Sequence, residues 1–525
     1  MKTLKQTALL LAVLMLAMAL YGCVTENDYP PALVLRDQTP PERDENADSG
    51  TFETELFFLS QDDKSLKKQT RVVEYDTQTS RAEAAIQALI SGPETDPTGI
   101  HNSVPSLFRV NRIELCGDVC NVYFEGDSFI PTESEWLRIR AAVAATVATA
   151  EGIDAVNVFL FERQLGYYNY SLGTMSPLEE DLSVYLRNMS RTYSYLNAAE
   201  SGVNIVEDTQ YVTQSIALYF ANTEGTLLSA RNAEISYPEG IKKTQLIEMI
   251  VEQLSGGDTE GTLEPSLPAD FKLLQQPTVI YSGKTEDGRE DTESDCIVEL
   301  VIAQPEAANY NETLMCGALT MTISSFIPNV SGVRILIAEE TQQTGQTPSP
   351  EENDQESGIT VLRVLGEKAF RNIDFTDLLG HTVNLYYPDE DGLVLRKTSR
   401  IIPQTTTYDP LVRLQELLSN VSEQGMSYAP FTADDIQDVY VVDGVAVIDW
   451  APGFSETLRA YLENDSTMEV SRRESMFIYG VVNTMTDMPM ISSVWMLEDG
   501  NKIDKIQNIY LGSALVRNPG LIVEE

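Results

Sequence analysis

One nineteen-residue stretch is written three times in this chain. Residues 55–73 read "ELFFLSQDDKSLKKQTRVV", residues 217–235 "ALYFANTEGTLLSARNAEI" and residues 384–402 "NLYYPDEDGLVLRKTSRII". They align without a gap. Leu56, Leu218 and Leu385 coincide, two aromatics follow each, an acidic turn comes next, and Leu66, Leu228 and Leu395 coincide again. Repetition at roughly 160 positions, in a chain of 525 residues, is too long for a solenoid and fits three domains of ordinary size.

Apolar alternation on both sides of a short acidic turn predicts a β-hairpin in each copy. A helix is predicted next, over "RAEAAIQALISGP", "TQLIEMIVEQLSGG" or "DPLVRLQELLSN". Ser80 and Glu83 have capping-box spacing in the first, and Pro410 suits the first turn of the third. A proline follows a small loop (Pro105, Pro268, Pro430), and a second strand pair closes with "CNVYF", "CIVEL" or "AVIDW". The second helix is predicted to open on the same device in every copy: Thr132 with Glu135, Asn309 with Glu312, Ser471 with Glu474. A last apolar strand ("VNVFLF", "VRILIA", "VWMLE") completes the order β-β-α-β-β-α-β. The expected class is α+β, three tandem domains, each with two helices on one face of a mixed or antiparallel sheet.

Copies one and three share a tail: "YNYSLGTMSPLEE" (168–180) parallels "QNIYLGSALVRNPGLI" (507–522). The boundaries expected are 51–180, 205–340 and 358–525, with 181–204 a short helix or irregular bridge and 341–357 a linker.

The N-terminus opens "MKTLKQTALLLAVLMLAMALYGC". Lys2 and Lys5 precede an apolar run too short to span a bilayer comfortably, and Leu20-Tyr21-Gly22-Cys23 resembles a bacterial lipobox. The expectation is a signal peptide at 1–22 and lipidation of Cys23. Diacylglyceryl modification would hold the protein on the extracytoplasmic face of the cell membrane. The Pro- and acid-rich stretch 23–50 reads as a tether.

A formal charge of −44 repels DNA, RNA and anionic headgroups, which argues against a nucleic-acid role. Two histidines, His101 and His381, lie in different copies without a second histidine or cysteine at ligand spacing. No metal site, histidine-based triad or cofactor site is expected, and each is read as a surface or turn residue. Ser65 and Lys68 match Ser-x-x-Lys, but on a hairpin strand and without a Lys-Thr-Gly element. Asp389 to Gly392 resemble the start of a calcium loop, yet strand follows at once, so a solvated turn is expected. The acidic insertion 282–295 is read as a solvated loop, with partner contact as the other reading. In "CGDVC", a two-residue turn at Gly117-Asp118 would set Cys116 opposite Val119 and send Cys116 and Cys120 to opposite faces, whereas a three-residue Gly-Asp-Val loop would let them bond. Cys296, on a strand, and Cys316, on the helix expected above it, are candidates for a disulfide, with buried reduced thiols the equal alternative.

The unit resembles the GerMN family of sporulation and spore-germination domains. The likeness rests on "ALISGPE" (88–94) and "SVP" (103–105) in copy one. In copy three it rests on "VAVIDW" (445–450), with Asp449, and on "VVNTMTDMPMISSVWM" (481–496), with Thr484. Copy two is more divergent, with "QLSGGDT" and the insertion at 282–295. The resemblance implies a role in spore formation or germination and envelope or sporulation-complex proteins as partners. Three like domains without a catalytic constellation read as contact surfaces, so a non-catalytic assembly protein is expected. The other reading is a peptidoglycan-binding or wall-remodelling accessory, for which Tyr167, Tyr168 and Tyr170 are compatible aromatics.

Overall fold

The structure is a computed structural model that describes residues 39–43, 49–76, 79–94, 99–126, 129–166, 170–178, 181–187, 189, 211–306, 310–340, 359–389, 392–419, 431–463 and 470–523. The signal segment, Cys23, most of the tether, most of the 181–204 bridge, the 341–357 linker and Pro430 lie outside these residues.

The first segment starts with the hairpin of β1 (Ser49–Ser60) and β2 (Leu66–Asp76), Leu59 opposite Leu66. Helix α1 (Arg81–Ile90) is capped by Ser80, whose hydroxyl accepts the Glu83 N–H at 3.0 Å. Short β3 (Ile100–His101) pairs with β1. Strands β4 (Arg109–Cys116) and β5 (Val119–Glu125) form a second hairpin, and α2 (Glu133–Glu151) follows. The last strand, β6 (Ala155–Leu160), runs parallel to β5, with β7 (Arg163–Gln164) antiparallel beyond it. Thr132 and Glu135 close the start of α2 reciprocally, as expected, and Gly152 ends it in the left-handed region at φ 74°.

The second segment holds β8 (Tyr211–Ala221), β9 (Leu228–Pro238), α3 (Lys243–Ser255), β10 (Thr278–Tyr281), β11 (Cys296–Ala303), α4 (Glu312–Phe326), β12 (Val330–Glu340) and β13 (Ile359–Phe370). The third holds β14 (Gly380–Pro388), β15 (Leu395–Pro403), α5 (Pro410–Leu418), β16 (Ile436–Val442), β17 (Val445–Trp450), α6 (Phe454–Glu463), α7 (Val470–Met485), β18 (Ser493–Glu498), and the short β19 (Asn501–Lys502), β20 (Leu515–Val516) and β21 (Ile522–Val523).

The class is α+β, but the layering differs from two helices on one sheet. The opening hairpins form sheets of their own (β2-β1-β3, β8-β9, β14-β15-β21). The later strands form separate mixed sheets: the first sheet β4–β7, the second β10–β13 and the third β16–β19. Helices α2, α4 and α7 each touch both their hairpin and their mixed sheet. The sequence explains this sandwiching. "RAAVAATVATA" and "CGALTMTISSF" have no continuous polar stripe, and α4 is buried at every position from Leu314 to Phe326. A helix of that kind needs cover all round.

One hydrogen bond recurs at the seam. The Phe57 N–H donates to Thr146 Oγ1 at 3.3 Å, Tyr219 to Thr322 at 3.3 Å, and Tyr386 to Thr484 at 3.0 Å. All three threonines are fully buried. The carbonyl of the same strand residue is bound from the loop: Ser103 Oγ donates to Phe57 O at 2.9 Å and Ser266 Oγ to Tyr219 O at 3.0 Å. Helix and loop thus satisfy backbone groups that the hairpin partner leaves open.

Each segment also closes with a tail that pairs with its last strand and then reaches the second strand of its hairpin. Met175 bridges Val156 and Asp181 bridges Ser65. Leu515 and Val516 pair with Val494 and Ser493, and Ile522 pairs with Leu395. The second segment has such a tail too. β13 pairs antiparallel with β12, Glu340 opposite Ile359, and Leu379 bridges Leu228. Residues 359–379 therefore complete the second segment. The boundary expected at 358 moves to about 380, and the presumed linker 341–357 joins two strands that are neighbours in one sheet.

Two of the three expected capping boxes shift. α4 is capped by Asn311, which accepts from Thr313 and Leu314, while Asn309 lies outside the described residues. Ser471 lies inside α7, and Glu474 instead accepts the N–H groups of Gln507 at 2.8 Å and Asn508 at 2.7 Å.

His381 is not a turn residue but part of β14, with ring Nδ1 buried and unpartnered. Burial, helped by the Arg413 guanidinium, lowers its pKa from 6.5 to about 4. The unfolded chain binds this proton first, so His381 contributes stability that is intact above pH 6.5 and lost as pH falls towards 4. Thermal unfolding from pH 7 to 4.5 is expected to show a shallower acid loss in His381→Asn than in the parent. Thr322→Val is isosteric but removes the acceptor for the buried Tyr219 N–H. Urea unfolding is expected to show a loss of about 1–3 kcal/mol, and Thr322→Ser is expected to recover most of it.

Candidate functional site

The residues singled out for chemistry are engaged in structure. Ser65 bridges Asp181, and Lys68 Nζ meets Glu55 at 2.7 Å. His101 Nε2 lies 2.8 Å from Asp63 in the first segment, far along the chain from His381 in the third. Asp389 Oδ1 accepts the Leu393 and Val394 N–H groups at 2.6 and 3.2 Å, the work of a hairpin turn. Among the described residues no three His, Cys, Asp or Glu side chains group as a metal site. The 282–295 insertion is largely exposed and folded on itself, Lys284 bridging Glu290, and Asp295 makes an ion pair with Arg163 of the first segment. Tyr170 packs half-buried against the core, and Tyr167 and Tyr168 lie outside the described residues.

The four cysteines among the described residues are free and buried. Cys116 does face Val119 across a two-residue turn, and Cys116 and Cys120 enter different cores. The Cys296–Cys316 disulfide is not formed. Cys296 pairs with Val330, just beyond the C-terminal end of α4, whereas Cys316 lies ten residues before that end, about 15 Å up the helix axis. A disulfide needs Cα atoms within about 7 Å. Burial raises the Cys316 thiol to about 12, so it stays protonated.

A cleft of about 930 Å³ lies in the second segment between the β8–β9 turn, the loop around Pro265 to Phe271 and the start of α4. Asn311 in its lining is already engaged, accepting the first helical N–H groups and donating to Gly225 O at 3.2 Å.

The outward faces of the three mixed sheets are more telling. On the first sheet, Glu114, Asn121, Tyr123, Asn157, Phe159 and Gln164 point away from α1 and α2 and are fully buried. The second segment covers them. Asn121 Nδ2 donates to Glu114 at 3.2 Å and to the Tyr219 hydroxyl at 2.9 Å, and Asn157 Nδ2 donates to Asn121 Oδ1 at 3.1 Å. Glu114 also accepts from Arg112 Nε at 2.7 Å and Thr376 at 3.2 Å, with the Arg112 guanidinium 3.5 Å over the Tyr123 ring. Tyr123 stacks on Phe159 at 4.4 Å and accepts from Asn372 at 3.4 Å. Burial raises the Tyr123 and Tyr219 phenols well above their usual range, so both remain protonated.

On the third sheet, Tyr440, Val442, Val447, Trp495 and Leu497 form a small outward cluster with Ala514 packed against it. The tether segment also lies here: the Tyr440 hydroxyl donates to Pro41 O at 2.9 Å and Arg43 meets Asp438 at 3.3 Å. Residues 39–43 are thus held by the third segment rather than standing off as a free tether.

The second sheet differs. Its outward row is Thr278 and Ile280 on β10, Ile297, Glu299 and Val301 on β11, Arg334, Leu336 and Ala338 on β12, and Val361 and Val364 on β13, with Val301 and Ala338 buried. Ile280, Val361 and Val364 are 41, 47 and 52% exposed. Glu299 and Arg334 pair at 3.3 Å where the first sheet has stacked Tyr123 on Phe159.

The profile of the family described as Germane, sporulation and spore germination, matches residues 55–161 and 384–504. These two stretches are therefore similar to Germane domains. Each runs from the opening hairpin through the mixed sheet, so both Germane domains contain the recurrent threonine bond. Among solved structures, the tandem GerMN domains of the sporulation protein GerM from Bacillus subtilis align at 18% identity over 55% of this chain and 91% of that one, with a TM-score of 0.20. A candidate lipoprotein from Clostridium perfringens aligns at 15% identity over 26% of this chain and 90% of that one, TM-score 0.16. At these scores neither superposition adds to the family match. No curated protein matches the chain. The Germane domains mark the chain as a sporulation- or germination-associated protein.

Sequence reading missed the buried polar seam between the first two segments. Its signal was an asparagine in each of two otherwise apolar strands, "CNVYF" and "AVNVFL", which the parallel register sets side by side. Asn121→Leu strands Glu114, Asn157 and the Tyr219 hydroxyl. It is expected to cost about 2–4 kcal/mol in urea unfolding and to expose the junction between the first two segments to protease, whereas Asn311→Ser is expected to leave that junction intact.

Proposed function

We propose that this chain is a lipid-anchored, extracytoplasmic and non-catalytic assembly protein of spore formation or germination. It docks envelope partners through three related domains, of which the second is a divergent Germane-like copy. The observation that carries this reading is the recurrence, in all three segments, of the threonine hydroxyl bound to the same hairpin N–H and of a tail closing onto the same hairpin strand. It joins the second segment, which the family profile does not match, to the two that it does.

Function by contact follows from what the segments offer. Their conspicuous side chains are engaged in hairpin turns, caps and buried seams, while Ile280, Val361 and Val364 on the second sheet are exposed. The Cys23 anchor is supported by the apolar N-terminal run that ends in Gly22-Cys23. With residues 39–43 against the third sheet, an anchor at Cys23 would hold that contact within about 50 Å of the membrane, the greatest reach of the fifteen intervening residues.

The test is crosslinked affinity capture of the tagged chain from membranes of growing and of starved, spore-forming cells, beside Cys23→Ser. The expected outcome is recovery of envelope-complex proteins only from spore-forming cells, lost when Cys23→Ser leaves the membrane fraction. Recovery of peptidoglycan fragments or wall hydrolases at both stages would overturn the reading in favour of a wall-binding accessory.

A further inference from the structure

We propose that the outward face of the third sheet is a recognition site for an extended peptide segment that presents two prolines and, two residues on, an arginine, and that the chain's own Pro40-Pro41-Glu42-Arg43 fills it in cis. The inference goes beyond the assembly reading above and does not depend on it. The chain's two Pro-Pro pairs, at 30–31 and 40–41, both lie in the stretch 23–50, where Arg36 and Arg43 are the only basic side chains. Proline fixes φ and pre-orders an extended backbone, so such a segment loses little freedom on docking.

Two positions of β16 hold the segment. The Tyr440 hydroxyl donates to Pro41 O at 2.9 Å. Arg43 Nη1 meets both carboxylate oxygens of Asp438 at 3.3 Å, and its guanidinium lies 5.8 Å from the centre of the Tyr440 ring. Asp438 and Tyr440 are two residues apart on one strand and share its outward face. Pro41 and Arg43 are also two residues apart and run the opposite way. Equal advance on both sides requires the segment to be extended, at about 3 Å per residue. The floor beneath is apolar and set by register: Tyr440 lies opposite Val447 on β17, and Val447 opposite Trp495 on β18, all three buried. Pro40 and Pro41 are themselves half-buried. Aromatic-lined surfaces with a donor for a backbone carbonyl are what proline-bearing segments dock on, and an arginine gains from both a ring face and a carboxylate. The rim supplies the charge complement, because Asp438 and Asp449 lie side by side across β16 and β17. Contacts as few as these would be weak between separate molecules. Held on the same chain, the segment reaches the site at a high effective concentration and keeps it filled. A partner segment of the same chemistry docks where the chain's own has left.

The test is fluorescence anisotropy of a labelled peptide of residues 37–45, DQTPPERDE, titrated with the full chain in non-ionic detergent. Pro40→Gly with Pro41→Gly and Arg43→Glu empties the site and leaves the sheet untouched. The expected result is peptide binding to this variant about tenfold tighter or more than to the parent, whose own segment competes. Adding Tyr440→Phe is expected to weaken that binding about fivefold, the worth of one hydrogen bond. A peptide with glutamate in place of Arg43 is expected to bind poorly and to regain affinity when Asp438→Lys is added to the emptied variant. Trypsin reads the same contact in cis. Arg36 and Arg43 are each followed by aspartate, so the two bonds are alike in local sequence. Cleavage after Arg43, relative to Arg36, is expected to rise about fivefold or more in Tyr440→Phe with Asp438→Asn. Circular dichroism and the thermal midpoint check that each variant is folded. Failure of the peptide to bind the emptied variant, equal binding to the parent, equal binding of a scrambled peptide, or unchanged cleavage after Arg43 would overturn the proposal.

Discussion

Everything in this molecule hangs on how an opening hairpin is fixed to the helix behind it. A hairpin offers water or a partner every second backbone N–H along its free side. In each segment one such N–H, at Phe57, Tyr219 or Tyr386, is taken by a threonine hydroxyl in the middle of a buried helix. A strand group left unpartnered there would be costly, so the bond sets where along the helix the hairpin sits. Helix position in turn sets the mixed sheet, because α2, α4 and α7 are covered on one side by the hairpin and on the other by that sheet.

The tails lock the same arrangement from the far side. Each adds an antiparallel strand or bridge to the last strand of its sheet and then returns to the hairpin, at Ser65, Leu228 or Leu395. The segments are consequently closed units, yet they are not beads on a string. One core holds residues of the first and third segments, and the other joins the second to Cys116, Val119 and Ala155 of the first. Strands β5 and β6 read as nearly continuous apolar runs because both their faces are buried, one by their own helices and one by the neighbouring segment.

The strong negative charge and the polar seam answer different needs. Acidic residues crowd the turns and insertions, where they keep a large surface soluble. Two buried carboxylates each have several donors: Glu114 has Arg112, Asn121 and Thr376 around it, and Glu151 accepts from both Ala82 and Tyr408. Desolvation raises the Glu151 pKa, and the two donors offset part of that penalty. Such seams fix one relative placement of neighbours, because any other leaves a buried charge unpaired.

The repeat, the helix and strand types, the Ser80 and Thr132 caps and the opposed directions of Cys116 and Cys120 were all legible in the residues. They depend on local spacing: period two in strands, one capping turn in helices, a two-residue turn between strands. The tail at 359–379 was not legible, because its partner β12 lies across an eighteen-residue gap and its sequence shares little with the other tails. Nor was the distance between Cys296 and Cys316, which follows from the direction in which α4 crosses the sheet. By itself the sequence determined that one unit is repeated and the type of its main hairpins and helices, since those are properties of neighbours along the chain. Only the tertiary structure decided which sheet faces are covered and which is left open, because that depends on how whole segments pack, and identical local patterns are compatible with either.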